Sequence, residues 1–275
     1  MRTRVAAAFS VCAFMLFTAS SAQAQYRPRG LSDRATGETY NVEVGGYLWN
    51  PTPTIGISSE SLPIVGQTAT RIDFVNDLGV EKKTFKQLKL VLRPATKHKF
   101  RFEYTPITYV ADATIRRDVI FNGIIFPVAL PVQTDLTWKA YRFGYEFDFV
   151  YRDRGFVGLV LDLKYTDVEA TLQNVISNEF AHARAPIPAI GVIGRVYVSP
   201  NISITGEFTG FKLPEGIDEN YRANYYDFDL YGTVNFTDHA GAQLGYRSFD
   251  VFYKVDNDEG DLVLKGLYFG GVLRF

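Results

Sequence analysis

Charged side chains recur at every second position of several apolar segments, and this spacing could carry chemistry. In residues 141–151, for example, Arg142, Glu146 and Asp148 alternate with aromatic residues. Such spacing puts residues on one face of a β-strand. Eight basic and eight acidic residues share the predicted inward face, namely Glu43, Lys89, Arg93, Arg101, Glu103, Arg142, Glu146, Asp148, Asp162, Lys164, Arg195, Glu207, Asp227, Asp229, Arg247 and Arg274. Charges removed from water must pair, so we predict an ionic network that fills an enclosed space. The alternative is that these charges line a path for small solutes.

Histidines are the candidate general bases for a hydrolase on this chain. His98 and His239 fall in predicted turns at one end of the strands, whereas His182 lies near Ser177 and Glu179 at the other. A catalytic triad is a spatial arrangement that sequence proximity does not establish. We therefore interpret His182 as a loop residue and keep it as a weak catalytic candidate. The chain is not predicted to be an enzyme.

Four acidic residues, Asp256, Asp258, Glu259 and Asp261, cluster around Gly260. The Asp-x-Asp spacing is typical of calcium loops, but the glycine comes one position early for an EF-hand and the ligand set is incomplete. We interpret the cluster as a solvated hairpin tip, with weak divalent bridging to lipopolysaccharide phosphates as the alternative. Neither a metal site nor a cofactor is predicted.

An aromatic stripe identifies the elements that carry the charges. The odd positions of residues 141–151 are all aromatic, namely Tyr141, Phe143, Tyr145, Phe147, Phe149 and Tyr151. Six residues at this spacing cover ~33 Å of strand, which suits the apolar band ~25 Å tall of a tilted transmembrane strand. Similar stripes occur in 88–92, 100–104, 157–165 and 226–236. We predict an all-β transmembrane barrel with Phe147 and Leu161 near mid-bilayer; a soluble β-sandwich is the alternative.

Connection lengths give the strand count. Tight polar connections at 94–97, 152–154, 199–200 and 237–239 alternate with longer ones near 110–131, 170–181, 212–222 and 254–260. Short periplasmic turns and longer extracellular loops are the rule for antiparallel up-and-down barrels of outer membranes. The pattern predicts ten strands, the first at about 39–49, with both termini in the periplasm. If Thr54–Ser58 and Thr70–Phe74 form a further hairpin, the barrel has twelve.

The N-terminal residues predict export. Arg2 and Arg4 precede an apolar run that ends in Ala22-Gln23-Ala24, a cleavage site of the A-x-A type. The run is shorter than the roughly 20 residues that span a bilayer as a helix. We predict a signal peptide at 1–24, a flexible periplasmic segment at 25–38 and the barrel at 39–275. Cys12 is the only cysteine and lies in the signal peptide, so no thiol chemistry is predicted for the mature chain.

The C-terminal residues Tyr268, Gly270, Leu273 and Phe275 resemble the insertion signal of Gram-negative outer-membrane β-barrels. The stretches IDFVNDLG at 72–79 and RPATKHKFRFEY at 93–104 are similar to a widespread group of uncharacterised barrels of this kind. The resemblance implies an outer-membrane location and contact with membrane lipid and lipopolysaccharide. It also implies recognition by the barrel-assembly machinery during biogenesis, and no established activity.

The function predicted from these patterns is that of a structural or small-solute-handling, porin-like barrel. A formal net charge of −1 and the lack of a basic block argue against nucleic acid as a partner. Ten to twelve strands leave at most a narrow path, because open aqueous channels take about 16 to 18 strands. The apolar segment 121–131 is expected to bury itself at the barrel rim or mouth, where a gated channel would use it as a lid. An outer-leaflet hydrolase of lipid A or phospholipid, using His182, is the rival function.

Overall fold

The computed structural model describes residues 35–58, 71–114, 117–121, 124–129, 131–173, 178–214, 221–255 and 258–275. The strands in these residues are β1 Val42–Ser58, β2 Ile72–Asp73, β3 Phe85–Ala95, β4 His98–Thr114, β5 Val119–Phe121, β6 Ile124–Phe126, β7 Pro131–Arg152, β8 Gly155–Gln173, β9 Asn178–Ser199, β10 Ile202–Lys212, β11 Tyr221–Asn235, β12 Ala240–Val255 and β13 Asp258–Arg274. Within these ranges, no helix is long and apolar enough to cross a bilayer. The predicted signal peptide and residues 25–34 lie outside the described residues.

Ten strands close into one antiparallel barrel. They follow the chain order β1, β3, β4 and β7 to β13, and β13 pairs with β1 from Arg274 opposite Glu43 to Glu259 opposite Ser58. The predicted ten-stranded barrel is confirmed, and the twelve-stranded alternative is wrong. Thr54–Ser58 is the last part of β1, which is longer than predicted, and β2 is a two-residue strand that pairs beside it.

The two ends of the barrel differ in their connections. At one end, which we call the short-turn end, tight turns at 96–97, 153–154, 200–201 and 236–239 join neighbouring strands. The start of β1 and the end of β13 also lie there, because they pair with each other. At the opposite end, which we call the long-loop end, the connections from β1 to β3, from β4 to β7 and from β10 to β11 are longer. The predicted long loops near 170–181 and 254–260 are wrong in length, because β8 reaches Gln173 before β9 begins at Asn178, and β12 reaches Val255 before β13 begins at Asp258. In the described residues, β5 and β6 pair only with each other and extend the connection between β4 and β7.

The outer wall is apolar. Phe143, Leu161 and Leu267 have 51%, 53% and 62% of their surface exposed, and the residues that alternate with them are buried inside. A row of tyrosines lies on the long-loop side of Phe143 and Leu161. The ring centres of Tyr104 and Tyr141 are 4.8 Å apart, and Tyr165 is next in the same row. Exposed apolar side chains flanked by aromatic rows are the pattern of a wall that faces lipid.

The aromatic stripe of β7 departs from the prediction near the short-turn end. The register with β8 shifts between Phe147 and Val150, so Val150 is exposed and Tyr151 packs inward against Phe156. A β-bulge adds one residue to one strand and reverses the side-chain parity beyond it. Phe147 also lies nearer the short-turn end than predicted, because it pairs with His98 at the first position of β4. Leu161 remains a lipid-facing position away from the turns.

Candidate functional site: the barrel lumen

Paired charges cross the lumen on the short-turn side of mid-height. Arg247 binds Asp227 through two hydrogen bonds, with Nε 3.0 Å from Oδ1 and Nη2 2.8 Å from Oδ2, and it also contacts Glu103. Lys164 Nζ lies 2.8 Å from the same Asp227 carboxylate. The strands β4, β8, β11 and β12 are thus joined through the interior.

A second set of charges joins β4, β7, β8 and β10. Arg142 contacts Glu207 and places Nη2 2.7 Å from Asp162 Oδ2. Arg101 lies between two acids, with 2.7 Å to Glu207 Oε2 and 3.3 Å to Glu146 Oε2. Each carboxylate therefore contacts at least one guanidinium group, which offsets the loss of hydration.

Lys99 extends these contacts toward the short-turn end. Its Nζ lies 2.6 Å from Glu146 Oε1, 2.9 Å from Asp148 Oδ2 and 3.6 Å from the centre of the Phe156 ring. We call Lys99, Lys89, Asp229 and the charged residues of the two sets above the ionic layer. The structure places all sixteen predicted inward charges in the lumen. Lys99 was missing from the prediction, although it shares the parity of Arg101 and the alternation could have found it.

The end of the predicted flexible segment is also buried in the lumen. Residues 35–40 lie at the short-turn end, where Glu38 Oε1 is 2.9 Å from Arg195 Nη1 and accepts a hydrogen bond of 2.6 Å from the Tyr197 hydroxyl. Arg93 Nη1 lies 3.6 Å from the second carboxylate oxygen. Burial raises the pKa of Glu38, but the charge of Arg195 and the Tyr197 hydrogen bond outweigh it and hold the pKa below its ordinary value. Glu38 gave no sequence signal, because it precedes the first periodic strand.

Aromatic side chains cover the ionic layer on its long-loop side. The ring of Phe249 lies 4.7 Å from Trp138, 5.6 Å from Tyr225 and 6.1 Å from Trp49. Lys164 Nζ approaches the Tyr225 ring to 4.3 Å, so this ring contacts the charges below and the apolar space above. The lumen therefore changes from ionic to apolar within one layer of side chains.

A loop after β2 fills part of the lumen at the long-loop end. Ile72, Phe74 and Leu78 are fully buried against the inner wall, in one cluster with Trp49 and Trp138.

The polar residues of the IDFVNDLG stretch shape this loop. Asp73 Oδ1 accepts the backbone amides of Val75 and Asn76, and Gly79 has a φ of +68° that favours glycine. Asp77 accepts two hydrogen bonds from Arg117, at 3.2 Å from Nε and 2.6 Å from Nη2. These bonds lower the pKa of Asp77 and tie the loop to the connection after β4.

The rest of the long-loop half of the lumen is a cavity of about 490 Å³. We call it the upper cavity. The inward-facing side chains on its wall are Ile55, Ile57, Leu136, Trp138, Thr166, Val168, Ala170, Ala185, Ile187, Phe211, Leu213, Ala223, Tyr225, Val251, Tyr253 and Leu262. The polar groups among these side chains are the hydroxyls of Thr166, Tyr225 and Tyr253 and the indole N–H of Trp138. The cavity is also bordered by residues at the alternate positions of the strands, among them Arg184, Arg222, Lys254 and Asp261. This site has no sequence signal, because apolar residues on the inward face resemble ordinary core positions.

The histidine candidates are not brought together into a site. His98 Nδ1 lies 2.6 Å from the Tyr145 hydroxyl and His239 Nδ1 lies 3.1 Å from the Arg274 carbonyl oxygen, both at the short-turn end. The His182 backbone pairs with Glu169 in β8, but its side chain and Ser177 lie outside the described parts. In the segment 121–131, the side chains of the β5–β6 hairpin also lie outside them, and Val128 is 55% exposed.

The acidic cluster lies at the rim of the barrel. Asp261 and Glu259 both pair with Arg71, the latter at 3.5 Å, while Asp256 lies outside the described residues. Among the residues that the structure describes, no group of three or more His, Cys, Asp or Glu side chains is arranged to hold a metal ion.

The C-terminal signal residues close the barrel. The main chain of Phe275 exchanges hydrogen bonds with Val42 at 2.9 and 3.0 Å. Leu273 and Phe275 are 55% and 69% exposed, whereas Tyr268 faces inward and donates a 2.8 Å hydrogen bond to Asp229. A Cβ atom at Gly270 would collide with the carbonyl of Gly46 in β1, so glycine permits the closing strands to approach.

Solved outer-membrane barrels share this fold, although no family model and no curated protein matches the chain. The outer membrane protease OmpT from Escherichia coli is 10% identical, with a TM-score of 0.60 over 90% of this chain and 100% of that one. The toluene transporter TodX of Pseudomonas putida is 8% identical (TM-score 0.37; 89% and 93% covered). The translocator domain of the autotransporter NalP from Neisseria meningitidis is 9% identical (TM-score 0.34; 98% and 98% covered). The likeness to OmpT supports the barrel fold and does not extend to activity.

Proposed function

We propose that the protein is a Gram-negative outer-membrane barrel that binds small, uncharged, apolar molecules in the upper cavity and does not conduct ions. The carrying observation is an apolar cavity of about 490 Å³ that lies directly on a layer of paired charges. The cavity lies within the 300 to 1,000 Å³ typical of sites for small molecules. The residues of both layers are therefore the candidate functional residues.

The proposed orientation puts the long-loop end outside the cell. Short turns face the periplasm in bacterial outer-membrane barrels, and the apolar outer wall suits lipid on all sides. The upper cavity then opens toward the cell surface, while the ionic layer and residues 35–40 separate it from the periplasm. Outer-membrane lipid, lipopolysaccharide and the barrel-assembly machinery are the partners that this location implies.

The ionic layer supports the absence of conduction. Its charges lie within ion-pairing distance of one another, and their side chains are no more than 14% exposed. A barrel of about 8 strands is just filled by its side chains, so ten strands leave little room beyond these pairs. Purified protein in planar bilayers should give no steady single-channel current. A current that rises when residues 121–131 are deleted would favour the gated channel instead.

The chemistry of the upper cavity supports an uncharged ligand. Its inward side chains offer hydrocarbon and aromatic surface with a few hydroxyl groups and the indole N–H of Trp138, and none of them is charged, so a charged ligand among them would leave its own charge unpaired. The shape and the few hydroxyls set which apolar molecules fit.

Contact quenching of tryptophan tests the proposed binding. The chain has two tryptophans, both facing the lumen, and Trp138 forms part of the cavity wall. In a Trp49→Phe background, 1-bromohexane added to protein in lipid vesicles should quench Trp138 with saturation, because a bromine atom quenches at contact.

Two variants on one strand provide the control. Ala170→Leu projects into the cavity and should weaken quenching, whereas Thr171→Leu, next to it on the outward face, should not. Quenching that is absent, or that is equal in both variants, contradicts the proposal.

The hydrolase alternative is tested separately. If His182 is a general base, phospholipid or lipid A vesicles should lose acyl chains in the presence of the protein, and His182→Ala should reduce the rate by roughly 10²- to 10⁴-fold. We expect no acyl release from the wild type. Release that His182→Ala abolishes would replace the binding function with catalysis.

A further inference from the structure

In the residues that the structure describes, the β9–β10 ladder ends beside the upper cavity. β9 and β10 pair from Ser199 opposite Ile202 to Ile190 opposite Gly210, and the ladder stops there. β9 continues to Asn178 and stays paired with β8 over that length. Among the described residues, 178–189 have no strand partner on the side that faces β10.

Two prolines explain where the ladder stops. The amide of Tyr197 donates to Arg154 on the β8 side at 2.9 Å, and the register between β8 and β9 has no shift from Val196 to Asn178. Successive residues of an antiparallel strand direct their N–H groups to opposite neighbours, so the even positions of β9 face β10. Pro186 and Pro188 occupy two of these positions and have no N–H to donate.

The same prolines make an open edge tolerable in lipid. An unpaired backbone N–H in the hydrocarbon region costs several kcal/mol, and a proline removes that group. Pro188 lies opposite Leu163, which is 48% exposed, and both border an external groove with Phe143 and Leu161. Pro186 lies opposite Tyr165, in the tyrosine row. The interrupted ladder therefore begins on the lipid-facing wall.

The upper cavity adjoins this interruption from inside. Ala185 and Ile187 of β9 line the cavity on one side of the break, and Phe211 and Leu213 line it on the other. Phe211 lies immediately beyond Gly210, the last residue of β10 that pairs with β9. Apolar side chains of both strands thus line the cavity at the place where the β9–β10 ladder ends, and Pro188 at that place also borders the external groove.

We infer that the break between β9 and β10 is a lateral portal through which apolar molecules pass between the outer leaflet and the upper cavity. This inference rests on the proposed binding function and adds the route and the source of the ligand. A ligand dissolved in lipid reaches the cavity without crossing water, so its solubility in water does not limit entry.

Lipid contact at Ile187 tests the portal without a ligand. A bimane fluorophore on Ile187→Cys, in vesicles of phospholipids brominated on their acyl chains, should be quenched nearly as strongly as one on the lipid-facing Leu163→Cys. Leu136→Cys faces the cavity from the intact wall of β7 and should be quenched far less. If the label at 187 behaves like the label at 136, the portal is closed to lipid and the inference is wrong, whether or not the cavity binds 1-bromohexane.

Closing the break tests the route. A short bis-maleimide joining Pro188→Cys and Lys212→Cys spans the first positions beyond the end of the β9–β10 ladder, while the same reagent on Val192→Cys and Phe208→Cys spans the ladder itself. Bridging 188 to 212 should slow the quenching of Trp138 by 1-bromohexane about tenfold or more, as expected for a blocked gate, and bridging 192 to 208 should not. Equal quenching rates in both bridged proteins would show that the ligand enters through the long-loop end of the barrel and would contradict the portal. No quenching in the unbridged proteins would instead contradict the binding function.

Discussion

Removing Arg142 is the most informative perturbation of the ionic layer. Its guanidinium contacts Glu207, and it lies 2.7 Å from Asp162 and 3.9 Å from Glu103. At an effective dielectric constant of about 20, charges at these last two separations attract by about 6 and about 4 kcal/mol before desolvation is counted. Burying the guanidinium offsets several kcal/mol of this attraction, so we expect Arg142→Ala to lower the free energy of unfolding by roughly 3 to 5 kcal/mol.

The assay is reversible urea unfolding in lipid vesicles, followed by tryptophan fluorescence and by the gel shift of the folded barrel. Lys139→Ala is the matched control, because Lys139 is an exposed cation three residues away on the outer face of β7. We expect the control to change stability by less than about 1 kcal/mol. Adding Asp162→Ala to Arg142→Ala should recover part of the loss, because Asp162 keeps only Lys164 at 3.9 Å once Arg142 is removed, whereas Glu207 still pairs with Arg101. If Arg142→Ala matches the control, the charges are hydrated and the lumen is not a packed ionic layer.

Three further predictions concern the wall, the loop and the closing strand. Leu161→Arg should destabilise the barrel by roughly 2 to 4 kcal/mol in the same assay, because it puts a charge in lipid. Leu161→Phe should have little effect. Equal stability of the two variants would mean that position 161 does not face lipid. Arg117 lowers the pKa of Asp77, so the ion pair that holds the 71–80 loop should persist at the ordinary aspartate pKa of 3.8 and be lost only as the pH falls below that value. Limited proteolysis of the loop should rise at that lower pH. Asp77→Asn lacks the charge and should be cleaved to the same extent at every pH. Deleting Phe275 should leave export intact but reduce the heat-modifiable, outer-membrane form, because the Phe275 main chain pairs with Val42; normal assembly of the truncated chain would argue against a signal at this position.

The sequence predicts the barrel well because a transmembrane strand repeats every two residues and the lipid face is apolar throughout. Leu161 and Phe143 are exposed, and Arg142 and Asp162 are buried, as the alternation requires. The alternation does not predict the inward position of Tyr151, because one extra residue in a β-bulge reverses the side-chain parity and no local residue type indicates that bulge. The pattern also does not predict how near Phe147 lies to the short-turn end, because it gives the face of a strand but not the offset of that strand from its neighbour.

The functional features were harder to predict because they depend on contacts between distant strands. Glu38 precedes the periodic region, yet it pairs with Arg195, 157 positions away in sequence. Ala170, Ala185 and Ala223 leave room in the upper cavity, but they lie on three different strands, so their proximity is not visible in the sequence. Pro186 and Pro188 are visible in the sequence, but their meaning depends on which neighbouring strand their missing amides would have faced.

The location of a bound apolar molecule tests the central claim most directly. Crystals of the protein soaked with bromobenzene and measured at the bromine absorption edge should show an anomalous peak in the upper cavity, between Trp138 and Ile187. A cavity without bromine, with peaks confined to the external groove beside Phe143 and Leu161, would contradict the binding function that we propose for this barrel.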